Sequence, residues 1–172
     1  MAERGDPAGR ATPSGAPTDD PRLTAVGLVI EAHAGLRSQL ERRLEAEVGI
    51  PVQWFEVLLR LVRSPGGRLR MSDLAAQTSV TPSGLTRVVD RLCEAGLVAR
   101  ESCREDRRSW YATLTPEGTA RLDAAVPAHL RHIDEVVGSV LDPDELDQLA
   151  ALVRKLRDAT NPAATQVSAR PR

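Results

Sequence analysis

The 172-residue sequence predicts a mainly α fold with a small β-hairpin, and three observations carry that expectation. Aromatic residues form only 2% of the chain, so Leu, Val and Ala must build the core, a choice that favours helices. Apolar residues recur at helical spacing along most of its length. One region, centred on CREDRR at 103–108, reads instead as two strands joined by a knot of charge.

Length and composition bound the answer further. The chain fits one ordinary domain, and 41% hydrophobic with 27% charged residues is the composition of a soluble globular protein. No run approaches the roughly 20 apolar residues of a membrane span, and the N-terminus is mixed-charge rather than basic then apolar. The expectation is a cytoplasmic protein with no membrane partner. Cys93 and Cys103 match no zinc spacing and are too few for a disulfide framework, which fits a reducing compartment.

The elements follow in order. Residues 1–20, MAERGDPAGRATPSGAPTDD, lack apolar periodicity and are expected to be a disordered tail. Val26, Val29, Ile30, Leu36, Leu40, Leu44 and Val48 form a helical stripe that ends at Gly49 and Pro51. Trp54, Val57, Leu58, Leu61 and Val62 form a second, stopped by SPGG at 64–67. RLR at 68–70 allows only a very short strand. Ser72 offers an N-cap for a short third helix, and Thr81 with Pro82 offers a cap and a first-turn proline for a fourth over 82–94. Gly96 ends that helix, and LVARES and SWYATLT make a hairpin around the charged tip. A helix capped by Thr115 runs over 116–140, and a last one starts at Pro143 and runs to 158.

Two short helices with a tight connection, followed by a hairpin, make a winged helix-turn-helix, whose second helix enters a DNA major groove. On that helix Leu85, Val88, Val89 and Leu92 fall on one side, and Ser83, Arg87, Asp90, Arg91 and Glu94 on the other, with Thr86 beside them. Charge agrees with this placement. Residues 60–110 hold ten arginines against six acids, whereas residues 113–160 hold five basic residues against nine acids. Arginine at a hairpin tip reaches the narrow, electronegative minor groove beside the helix.

At these residues the sequence resembles the MarR family of bacterial transcription regulators. MSDLAAQTSVTPSGLTRVVDRLCEAGLVAR resembles its helix-turn-helix and first wing strand, and DRRSWYATLTPEG its wing, second strand and entry to the next helix. The resemblance covers roughly residues 21–160. It implies that Asp106 and Arg108 brace the wing, that Arg104 or Arg107 at the tip enters the minor groove, and that Ser83, Thr86 and Arg87 face bases or phosphates. Pro82 and Gly84 depart from the serine and threonine more usual in the family. It also implies release of DNA by a small phenolic or carboxylate effector, with His33, Trp54 and Arg63 around the junction of reading head and dimer core. No cofactor is implied.

Other readings of the same residues stand beside these. Arg87 and Arg91 suit intrahelical ion pairing with Asp90 and Glu94 as well as DNA contact. Arg104 and Arg107 suit protection of an exposed hairpin edge. Arg68 and Arg70 have only their sign to recommend them as backbone contacts. Trp54 also reads as ordinary core. Cys103, among arginines that favour thiolate, is the candidate for redox control, although the family's peroxide sensors carry their cysteine near the start of the first helix. His129 and His132 sit three apart, but nothing obvious completes a metal site with them. No catalytic motif is present, so an enzyme is not expected. The competing function is a winged-helix protein-interaction module without DNA binding.

The long flanking helices, 21–49 and 116–158, carry Leu, Val and Ile with little inside one chain to bury them. A second copy is the simplest partner, with Leu141, Leu146, Leu149, Leu152, Val153 and Leu156 packing against Leu23, Val26 and Ile30 of the other subunit. The expected protein is thus a homodimer with a reading head at about 52–115 and a flexible tail at 161–172, its operator a near-palindrome with half-sites about 10 bp apart. Pro127 is expected to kink its helix near the join of the two parts.

Overall fold

The computed structural model describes residues 18–102 and 109–165. The chain divides into two compact units, Met1–Gly35 and Leu36–Arg172. In the first, the described residues are chiefly the opening turns of α1 (Pro21–Val48). Asp20 starts that helix by accepting from the Arg22 backbone at 2.8 Å and from its guanidinium. Leu23, Val26, Leu28, Val29 and Ile30 are exposed on it.

The second unit holds the core. It comprises the end of α1, α2 (Val52–Val62), β1 (Arg68–Arg70), α3 (Met71–Gln77), α4 (Pro82–Glu94), β2 (Val98–Ser102), β3 (Trp110–Leu114), α5 (Pro116–Ile133) and α6 (Pro143–Thr160). Leu44, Phe55, Leu58, Leu61, Leu74, Leu85, Val89 and Leu122 bring five helices onto one apolar cluster with Leu69 and Ala112 of the sheet. The wing is a three-stranded antiparallel sheet in the order β1-β3-β2, with Leu69 opposite Ala112 and Arg100 opposite the same alanine.

Local sequence explains most of the boundaries. Gly49 takes φ +66°, which ends α1, and Arg121 of α5 donates to the Val48 carbonyl at 2.7 Å, satisfying an acceptor the helix end leaves open. Thr81 caps α4 by accepting from Gly84 N–H at 3.2 Å, with Pro82 at the first turn. Gly96 at φ +74° closes it. Its own N–H reaches Cys93 and that of Leu97 reaches Leu92, the paired bonds of a Schellman ending. Asp142 and Glu145 form a reciprocal capping box at the start of α6.

Three features differ from the sequence expectation. Ser72 is not the cap of α3: pairing of Arg70 with Tyr111 holds the backbone extended up to Arg70, so helix begins at Met71. The helix expected over 116–140 is α-helical only to Ile133, running unbroken through Pro127, and gives way to a π-helical turn at Asp134–Gly138. Of the expected C-terminal tail, Pro162–Thr165 form a 3-10 turn, and Asn161 Nδ2 donates to the Ala76 carbonyl of α3 at 3.1 Å.

Polar clamps fix the reading head. Glu56 of α2 accepts from both the backbone N–H and the hydroxyl of Ser79 at 2.8 Å, pinning the turn between α3 and α4, and Arg37 donates to the same hydroxyl. At the other end of the unit Glu47 of α1 takes Arg131 and the buried His132 of α5, the latter at 2.7 Å, and Arg43 pairs with Glu135. The hydrogen bond from His132 holds the Glu47 carboxyl below its ordinary range, with Arg131 adding to the effect.

Candidate nucleic-acid interface

The reading helix α4 is amphipathic in the way its sequence requires. Leu85, Val89 and Leu92 are buried, and Ser83, Thr86, Arg87 and Arg91 are exposed. Thr86 bonds back to the Pro82 carbonyl at 3.3 Å, which keeps its methyl group and hydroxyl on the open side. Among the described residues no ion pair involves Arg87 or Arg91. Asp90, their expected intrahelical partner, instead bonds Arg100 of β2 at 2.7 Å. That cross-element pair leaves the two helix arginines available to an external anion.

The wing tip falls outside the described residues, and with it Cys103, Arg104, Asp106, Arg107 and Arg108. Its root is well defined. The Arg68 guanidinium lies 4.1 Å over the Tyr111 ring and pairs with Glu101 at 3.7 Å, and Arg70 Nε donates to the Tyr111 hydroxyl at 2.9 Å. Arg68 and Arg70 therefore knit all three strands together.

Between α4 and the wing root lies a groove of about 420 Å³, lined by Arg70, Met71, Ser72, Thr86, Arg100, Ser109 and Trp110. Its walls come from the end of β1, the start of α3, the first half of α4, the middle of β2 and the outer end of β3. Trp110 is 47% exposed there. Sequence reasoning missed Arg100 and Trp110. The available signal was an unusual tryptophan two residues beyond the charged tip, in a chain with one Tyr, one Phe and two Trp.

The remaining candidates are placed as follows. His33 is exposed on α1 in the first unit. In the second, Trp54 packs against the core from α2 and Arg63 is an exposed residue at that helix's C-cap. Cys93 is half-buried, and burial pushes its thiol up, so it behaves as a core filler rather than a reactive thiolate. His129 lies with its ring 4.4 Å from Phe55, and His132 is occupied by Glu47. Among the described residues no cluster of three or more His, Cys, Asp or Glu is placed to hold a metal ion, and no helix is long and apolar enough to cross a membrane.

A short helix clamped by its apolar side, showing hydroxyls and arginines outward beside a three-stranded wing, defines a winged helix-turn-helix protein. The model of the MarR family matches residues 48–109. The chain is 36% identical over 104 residues to the HTH-type transcriptional repressor Rv2887 of Mycobacterium tuberculosis, covering 59% of this chain and 73% of that protein. It is 33% identical over 91 residues to the HTH-type transcriptional repressor YetL of Bacillus subtilis, where the match spans 53% of this chain and only 54% of the relative. Among solved structures, the MarR family regulator Sco3205 of Streptomyces coelicolor, crystallised in complex with DNA, superposes with a TM-score of 0.73. It is 30% identical, and the match covers 91% of this chain and 96% of that one. The chain belongs to the MarR family of transcriptional regulators, and its relatives are regulators rather than enzymes.

Proposed function

We propose that the protein is a sequence-specific DNA-binding regulator that acts as a homodimer on a near-palindromic operator and represses transcription there. The observation that carries this reading is the exposed face of α4, where Ser83, Thr86, Arg87 and Arg91 stand clear while the opposite face is locked in the core. Sco3205, similar over nearly the whole chain, was solved bound to DNA, and several relatives are named repressors. Reading residues on α4 supply base and phosphate contacts in the major groove, and Arg104 or Arg107, on a wing braced by Asp106 and Arg108, supplies the minor-groove contact.

A gel-shift titration over a range of salt tests it, using a duplex selected from random DNA. Affinity should fall steeply with salt because each phosphate contact releases counterions, and Arg87→Ala should weaken binding. Affinity that ignores salt, together with an indifferent Arg87→Ala, refutes the proposal and favours a protein-binding module. Effector response belongs to the same proposal, with His33, Trp54 and Arg63 as the residues to change. Phenols and aromatic carboxylates should release the operator duplex, and loss of that release in Arg63→Ala would support the assignment.

A further inference from the structure

We infer that Asn161 is a positioning residue, one that ties the end of α6 to α3 of the reading head and thereby fixes the spacing of the two recognition helices. The inference rests on the dimeric, DNA-binding reading above. A hydrogen bond between residues 85 apart in sequence carries it. The helix α3 has only seven residues, and its closing carbonyls lack intrahelical partners. Thr78 covers one of them, its hydroxyl donating to the Leu74 carbonyl at 2.9 Å. Asn161 covers another, its side-chain amide donating to the Ala76 carbonyl at 3.1 Å. The chain around Asn161 presents that amide. Pro162 disfavours helix at the residue before it, so α6 stops at Thr160, and Asn161 takes φ -141° while its N–H still reaches the Arg157 carbonyl at 2.7 Å. The turn Pro162–Thr165 then packs on α3. It is closed by the Ala164 N–H on the Asn161 carbonyl at 3.0 Å and by the Thr165 hydroxyl on the Pro162 carbonyl at 2.8 Å.

The same stretch is fastened again just beyond Ala76. Ser79 is held by Arg37 of α1 and by Glu56 of α2, and Thr81, which caps the recognition helix, follows directly. The connection from α3 to α4 is therefore attached to both long flanking helices as well as to the core. Within one chain α6 buries no side chain. A second copy on its apolar stripe would hold the helix in place, and Asn161 then carries that position to α3 and on to α4. A second point of attachment matters because two linked heads gain affinity only when their separation matches that of the half-sites.

The test compares the full chain with Asn161→Ala and with Asn161→Asp, which keeps the side chain's shape but removes its donor. Each is titrated with a selected operator and with duplexes that have one base pair added or removed between the half-sites. One base pair shifts a half-site by about 3.4 Å and turns it by about 35°. Wild type should lose about tenfold or more in affinity on either change of spacing, and both variants less than about threefold. Both should sediment as dimers and bind an isolated half-site as wild type does. A residue that merely capped α3 would lower half-site affinity or thermal stability and leave the spacing preference alone. Variants that keep the wild-type spacing preference, lose half-site and full-site affinity together, or become monomers overturn the inference. A wild-type profile that is flat across the three spacings overturns it equally. Failure of the wider reading looks different, because the wild-type chain would then bind no duplex in a salt-dependent way.

Discussion

Gly118 shows how closely one residue is constrained where the wing returns to α5. A Cβ there would lie 2.1 Å from the Leu97 carbonyl oxygen and 2.8 Å from Leu114 Cδ1, and backbone cannot step aside as a flexible side chain does. Gly118→Ala should cost about 3 kcal/mol or more of unfolding free energy, read from urea denaturation. A loss below about 0.5 kcal/mol would mean that the strand-to-helix junction packs differently. The histidines give a second prediction at this scale. Burial, and then the neighbouring His132, lower His129 from its ordinary value of 6.5. Its Nδ1 is buried without a partner. As pH falls below about 6.5 the unfolded chain takes up this proton before the folded one, so stability declines on acidification. Glu47 acts in the same direction further down, since its lowered folded value makes its contribution present above 4.5 and lost as pH falls through that lower value. The urea midpoint should therefore drop between about pH 7.5 and about pH 5, and His129→Gln should flatten the upper part of that decline. Residue-level legibility was uneven for a physical reason. Arg87 could be read from periodicity, because its role follows from the face it occupies. Arg100 and Trp110 could not, because their place depends on Asp90 and on strand register, which join segments distant in sequence.

Elements whose ends are written locally were the ones the sequence predicted well. Thr81-Pro82, Thr115-Pro116 and the glycines at 49 and 96 each carry their own stop or start chemistry, and α1, α4 and α5 begin or end there. Three other features depend on partners. The start of α3 is set by the pairing of β1 with β3, the third strand exists only because RLR finds β3, and the π-helical turn has no sequence signature in its DEVVG. Loss of a local signal should thus have a local effect. Thr81→Ala should remove about 1 kcal/mol and fray the first turn of α4, whereas Thr81→Ser should change little, as measured by thermal unfolding and amide exchange at 83–85. Pro127 offers the opposite test. Because α5 runs through it, Pro127→Ala restores a backbone donor and removes ring crowding, and should stabilise the chain by about 1–3 kcal/mol without altering operator affinity. A fall in affinity with that change would instead support the hinge expected at Pro127.

The whole molecule poses the question of what covers α6. Leu146, Leu149, Leu152, Val153 and Leu156 are each at least 40% exposed along one stripe, and the start of α1 shows a comparable set in Leu23, Val26 and Ile30. Apolar surface this continuous calls for a partner, and the proposed isologous pairing of two copies would bury both sets at once. The sequence revealed this much because a stripe with nothing to face is visible as periodicity alone. The geometry of the pair was not legible, since it depends on two surfaces meeting. Leu149→Glu with Leu152→Glu should give a species sedimenting at 18.6 kDa where wild type sediments at twice that mass. Its reading head should stay folded, because Leu85, Val89 and Leu92 are buried without help from α6. Binding to a single half-site should then be nearly preserved, while affinity for the full operator falls by about a hundredfold or more, since the second head no longer arrives at high effective concentration. If the charged variant still binds the full site as tightly as wild type, the two recognition helices do not act as a linked pair, and the near-palindromic operator has no structural basis.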